Sequence, residues 1–130
     1  MDLNLSVLRL ASGLASHATA RQTVISENIA NSDTPGYRAR DIGDFASTFE
    51  NTVPAFNARV TRPGHVGFGD TSRGFEVTES AAMGAETPNG NSVSLEDQMV
   101  RAATIRQDHD LAIGVYQKSL DILRMSLGRK

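Results

Sequence analysis

The chain has 130 residues, 39% of them hydrophobic, with five Phe, two Tyr, no Trp and no Cys, and its net charge is −2. That length suits one modest domain, and so few aromatics leave any core to Leu, Ile, Val, Ala and Met, which fits helix seams better than a β-sandwich. Without cysteine there is no disulfide framework or thiolate metal site. Basic and acidic side chains are mixed throughout (two and three in residues 1–37, five and seven in 38–93, six and five in 94–130), so no basic block exists to hold nucleic acid or an anionic membrane.

The opening "MDLNLSVLRLASGLASHA" fails as a secretory leader, because Asp2 stands where a cation belongs and Asn4, Ser6 and Arg9 interrupt the short apolar run. No stretch approaches the roughly eighteen apolar residues of a membrane span. What the segment does show is a heptad ladder, Leu8, Ala11, Ala15, Ala18, Gln22, Ile25 and Ile29, widened in its first half by Val7, Leu10 and Leu14. Residues 4 to 30 are predicted to form a rod roughly 40 Å long. Gly13 weakens that helix but permits close approach of a partner.

The ladder stops within "SENIANSDTPGY" (26–37). Asn31 tolerates a left-handed C-cap, Asp33 and Thr34 favour local side-chain to backbone bonds, and Pro35-Gly36 fits the centre of a type II turn. Next, "DIGDFASTFENTV" offers Asp41 as a cap, with Ile42, Phe45, Ala46 and Phe49 at helical spacing. Residues 53–93 then hold six of the eleven glycines and three of the four prolines, with brief extended candidates at "NARV" (57–60) and "FEVTE" (75–79). Such a stretch is either a small β-rich insertion or a segment ordered by partners.

The last segment carries the longer ladder, Leu95, Met99, Ala102, Arg106, His109, Ile113, Tyr116, Leu120, Leu123 and Leu127. Ser94 stands as N-cap, Glu96 and Asp97 fill the first turn, and Arg124, Arg129 and Lys130 lie near the other end, all in keeping with the helix dipole. Arg106 and His109 fall on consecutive seam positions, where burial is costly. The helix is therefore expected to turn toward a neighbouring subunit or a wet groove at mid-length.

The expected fold is mainly α. Long N- and C-terminal helices pack as a coiled-coil-like pair, with a short amphipathic helix and an irregular insertion, either β-containing or ordered by partners, between them. The divisions run 1–31, 32–52, 53–93 and 94–130. An isolated amphipathic helix is marginal in water, so the two ends should pack on each other or on other copies.

"NIANSDTPGYRARD" (28–41) resembles the signature of bacterial flagellar axial proteins, Ala-Asn-x-x-Thr-x-Gly-aromatic after an N-terminal heptad helix, met here by Ala30, Asn31, Thr34, Gly36 and Tyr37. With "DTPGYRARD", Phe45, Tyr116-Gln117 and the closing "LDILRMSLGR", the ends are similar to the flagellar basal-body rod protein family, its proximal members above all. The resemblance covers roughly residues 1–50 and 92–130 and implies a structural subunit. Such a subunit is exported unfolded without a cleaved leader and polymerises into the periplasm-spanning rod, which transmits torque and forms part of the export conduit. Its implied partners are other copies of itself, other rod proteins, the export gate and basal-body rings, with no nucleic acid and no small-molecule substrate. Contacts that do not close a ring generate a filament, and stripes too short to hold alone would order as neighbours bury them.

Residues expected at subunit interfaces are Leu8, Ala11, Ala15, Ala18, Ile25 and Ile29 of the first ladder, and Asn31, Thr34, Pro35, Gly36 and Tyr37 of the turn. The last ladder adds Met99, Ile113, Tyr116, Leu120, Leu123 and Leu127. The turn is expected to act as a stiff elbow lodged against adjacent subunits, with Tyr37 as its anchor.

No catalytic, cofactor or metal residues are expected. His17, His65 and His109 lack ligand spacing, and "DHD" (108–110) cannot bring its side chains to one helix face. "GHVGFGDTSRG" (64–74) has glycines but no Walker lysine, and no G-x-S-x-G elbow occurs. The alternatives are a soluble helical adaptor or secretion chaperone with a stable hairpin, and a small hydrolase working through residues 64–74.

Overall fold

The computed structural model describes residues 2–51, 75–80 and 86–128. Five elements follow in order: α1 (Asp2–Ala30), β1 (Arg40–Ile42), α2 (Phe45–Asn51), β2 (Val77–Glu79) and α3 (Leu95–Ser126). The fold is mainly helical, with long terminal helices packed together and a short helix and small strand pair between them, as expected. The extended candidate at 57–60 and the glycine-rich 64–74 with His65 lie outside the described residues.

With 29 and 32 residues, α1 and α3 are rods of about 43 and 48 Å. They form an antiparallel hairpin, since Asn28 near the end of α1 bonds Gln98 near the start of α3. Ser94 caps α3 from an extended conformation (φ −98°, ψ 115°), its side chain accepting from the Asp97 amide. Both helices bury a strict heptad row, Ala11, Ala18 and Ile25 on α1 against Gln98, Ile105, Ala112 and Ser119 on α3. The apolar heart of the seam is small: Ala18, Ile25 and Ile105, with Ala102 packed against them.

This seam is one residue out of register with the apolar ladder of the last segment. Positions 98, 105, 112 and 119 face α1, whereas Met99, Ile113 and Leu127 face outward. The row turned to α1 mixes two large side chains, Gln98 and Ile105, with the small Ala112 and Ser119, and it is selected by what it meets on α1, Gln98 bonding Asn28 and Ile105 packing on Ala18 and Ile25.

A second face of α1, with His17, Val24 and Asn28 buried, carries a thin outer layer. There β1 and β2 pair antiparallel, Arg40 with Glu79, Asp41 with Thr78 and Ile42 with Val77. Asp41 does not cap the short helix. It lies in β1, and α2 begins at Phe45 behind Asp44, whose carbonyl accepts from the Thr48 amide at 3.0 Å. The close partner that Gly13 admits is the chain's own α2. A Cβ there would sit 3.5 Å from the Phe45 ring and 3.7 Å from Phe49. His17 lies beneath the same layer, its Nε2 2.7 Å from the Gly43 carbonyl oxygen and its ring edge-on to Phe45 and Phe75.

Candidate functional site

The elbow begins where α1 ends. Asn31 does not take a left-handed cap: among the described residues only Gly36, Gly90 and Gly128 have positive φ. Instead the helix tightens, the Asn31 amide donating to the carbonyls of Glu27 (3.1 Å) and Asn28 (3.2 Å), and Ser32 to Ile29 (3.2 Å). Pro35 and Gly36 then occupy the centre of a turn closed by the Tyr37 amide on the Thr34 carbonyl at 3.3 Å. Gly36 has φ +73°, the geometry a type II turn demands. A Cβ on Gly90 would come 3.6 Å from the Gly36 Cα, and Gly90 itself has φ +82°, so two glycines meet back to back where the chain returns from the insertion.

Polar side chains sew this elbow to both helices. Asn28, fully buried, uses its whole amide: Nδ2 donates to the Arg40 carbonyl (2.6 Å) and to Gln98 Oε1 (2.9 Å), while Oδ1 accepts from the Arg40 amide (3.0 Å) and the Tyr37 hydroxyl (3.2 Å). Asn91 does the same from the segment that leads into α3, donating to the carbonyls of Asn31 (2.9 Å) and Thr34 (2.8 Å) and accepting from the Val93 amide (2.8 Å). Ser92 adds two bonds, its amide to the Tyr37 carbonyl (3.0 Å) and its hydroxyl accepting from the Ala39 amide (2.8 Å). Among the described residues no buried side-chain nitrogen or oxygen lacks a partner.

At the centre is Asp41. Arg21 of α1 grips it with both forks, Nε to Oδ1 and Nη2 to Oδ2, each at 2.8 Å. Arg101 of α3 donates to Oδ2 at 2.7 Å, and the Ile42 amide to Oδ1 at 2.8 Å. Arg101 is held in turn by Asp97 at 2.9 Å and by the Ser80 hydroxyl at 2.9 Å. Burial pushes the Asp41 carboxyl up, but the two guanidinium groups and the Ile42 amide outweigh it and hold the carboxyl below its ordinary range. One carboxylate thus ties the elbow to both helices at once.

The residues expected at interfaces divide into three groups. Ala11, Ala18 and Ile25 are buried against the chain's own α3, with Leu8 and Ala15 half-buried beside them. In the elbow, Thr34, Pro35 and Gly36 are exposed, and Asn31 and Tyr37 half-buried, Tyr37 being turned inward by its bond to Asn28. The remainder form a bare stripe: Met99 (63% exposed), Ile113 (40%), Tyr116 (40%) and Leu127 (76%), with Leu120 and Leu123 half-buried and Ile29 at its α1 edge. Arg106 and His109 lie on this side and line an open groove of about 770 Å³ between the helices, floored by Ala18, Ala102 and Ile105.

Asn28, Asp41, Asn91, Gln98 and Arg101 have no place in the apolar ladders, yet they carry the elbow. No local signal marks them, because the groups that pair, such as Asn28 and Gln98, stand 70 residues apart in the chain. Among the described residues, no group of three or more His, Cys, Asp or Glu is placed to hold a metal ion, and no helix is long and apolar enough to cross a membrane.

The family described as Flagella basal body rod protein matches residues 8–38, the segment running from the first turns of α1 through the type II turn. The flagellar basal body rod protein FlgB of Agrobacterium fabrum is 27% identical over 128 residues, 96% of this chain and 95% of that protein. FlgB of Bacillus subtilis is 33% identical over 88 residues, 68% and 67% of the two chains. The chain belongs to the flagellar basal body rod protein family. FlgB of Escherichia coli is 61% identical to this rod protein over a shorter stretch of 33 residues, 25% of this chain and 23% of that one. The span matched by the family places the elbow of this rod protein, with its glycine at positive φ, directly after the helix that supports it.

Proposed function

We propose that this chain is a structural subunit of the proximal flagellar rod, and that it joins the rod through the bare stripe of α3. Family membership supports the role. The observation that carries the mode of entry is the stripe from Met99 to Leu127, large apolar side chains at heptad spacing left in water by a hairpin that closes through the neighbouring row. Such a stripe is what a neighbouring helix covers. The stripe and the elbow lie on different faces, so each subunit offers unlike surfaces to its neighbours. Contacts of that kind propagate as a helical tube rather than closing.

In this account the polar clamp sets the shape of the subunit and the stripe supplies most of the assembly energy. The neighbours are further copies, other rod proteins and, at the ends, the export gate and ring components. The assembled rod crosses the periplasm, transmits torque and encloses part of the export channel, with the subunit delivered by export without a cleaved leader. The test is complementation of a deletion strain with Met99→Glu/Ile113→Glu. This variant should accumulate and keep its helix content, yet yield no rods by electron microscopy and no swimming. Wild-type swimming would remove the stripe from the account.

A further inference from the structure

Thr87-Pro88-Asn89-Gly90 brings the chain back to the elbow, and Asn89-Gly90 is the one Asn-Gly pair in the sequence. That pair is chemically weak. The backbone nitrogen after an asparagine, on losing its proton, attacks the side-chain Cγ; ammonia leaves, and a succinimide ring joins side chain to backbone. Water then opens the ring at either carbonyl, giving aspartate or isoaspartate. A following glycine makes the attack easiest, because no Cβ hinders it.

In the folded chain the same residues form a closed turn. Pro88 and Asn89 are its central residues, the Gly90 amide donating to the Thr87 carbonyl at 2.8 Å and the Thr87 amide to the Asn91 carbonyl at 3.0 Å, and Gly90 at φ +82° supplies the bulge that follows. The nitrogen that would attack is therefore aimed at Thr87 and not at Asn89 Cγ. Its target is held too, Asn89 Oδ1 accepting from the Thr87 hydroxyl and from the Asn91 amide (3.2 Å). The Asn89 carbonyl accepts from the Gly36 amide at 3.0 Å, which ties the turn to the elbow. Asn89 is exposed, so water reaches it freely and only these fixed torsions guard it.

We propose that Asn89 is a site of spontaneous deamidation that the folded elbow keeps shut, so that a chain lingering unfolded converts it to isoaspartate and no longer closes the elbow. Isoaspartate runs the backbone through the former side chain, lengthening the main chain by one carbon between Pro88 and Gly90. The turn then fails to deliver the Asn89 carbonyl to Gly36 and the Asn91 amide group to Asn31 and Thr34 together. Ordinary aspartate keeps both the backbone and the acceptor oxygens, and the turn tolerates it.

Peptide mapping of the full chain incubated at mildly alkaline pH, folded in buffer or unfolded in urea, tests it. Asn89 of the unfolded wild type should convert on the order of tenfold faster than in the folded chain, where the reaction waits for local opening. Asn91→Ala, which lets go of the Asn31 and Thr34 carbonyls, should raise the folded rate several-fold and leave the rate in urea unchanged. The isoaspartate form, separated by chromatography and returned to buffer, should unfold at a urea midpoint on the order of 0.5 M below wild type, whereas Asn89→Asp should match wild type. Circular dichroism confirms that each variant is folded. Equal rates in the folded and unfolded wild type, an Asn91→Ala chain as well protected as wild type, or an isoaspartate form as stable as Asn89→Asp would each overturn the proposal.

Discussion

Replacing Asp41 with Asn removes one negative charge from between two guanidinium groups and leaves the shape of the side chain intact. The carboxylate accepts three guanidinium bonds at 2.7–2.8 Å and one from the Ile42 amide. Bonds to charged groups are worth about 1.5–3 kcal/mol each, so a simple sum exceeds 5 kcal/mol. That sum is too large here. The Arg21 and Arg101 side chains keep 21% and 18% of their exposure and can recover water, and Arg101 retains Asp97 and Ser80. A loss of about 2–4 kcal/mol is the reasoned value. In urea unfolding followed by circular dichroism, with m near 2 kcal/mol/M, the midpoint of Asp41→Asn should fall by roughly 1–2 M at unchanged m. A double-mutant cycle with Arg21→Gln should show coupling above about 1 kcal/mol. A midpoint shift below about 0.3 M, or additive single effects, would refute the clamp as the hinge between the helices.

The same carboxylate sets a pH dependence. Its pKa in the folded chain lies below the ordinary value of 3.8, so its contribution is complete above that pH and is lost as pH falls through the lower folded value. Wild-type stability should therefore drop below pH 3.8 more steeply than that of Asp41→Asn, as measured by urea midpoints across the acid range. Gly36→Val forces a β-branched residue to φ +73° and should cost roughly 1–3 kcal/mol at the turn while leaving expression intact and blocking rod assembly. Normal motility in a Gly36→Val strain would count against the elbow.

The sequence carried the local features because each is specified by neighbours along the chain. Ser94 before an acidic first turn marks the start of α3, and Pro35-Gly36 marks the turn. The ladder of the last segment was legible as a stripe but not as the intramolecular seam. Apolar size alone points to Met99 and Ile113, whereas the face turned to α1 is Gln98, Ile105, Ala112 and Ser119, one step around. Asp41 read as a helix cap because aspartate before a helical run usually is one. Its partners lie 20 and 60 residues away, and only the closed hairpin brings them together. Asn28 and Gln98, 70 residues apart, illustrate the same limit. Polar residues on helices read as solvated unless their mates are known.

The central claim is that α3 keeps a bare apolar stripe in the lone chain which the rod covers. The chain has no cysteine, so thiol accessibility reports on single introduced positions. Maleimide labelling of Met99→Cys and Ile113→Cys, compared between dilute subunit and isolated basal bodies, measures the claim directly, with Ala112→Cys as the position buried in both. Fast labelling of the first two in the subunit and strong protection in the rod is the predicted result. Equal labelling of Met99→Cys and Ile113→Cys in both states would contradict it.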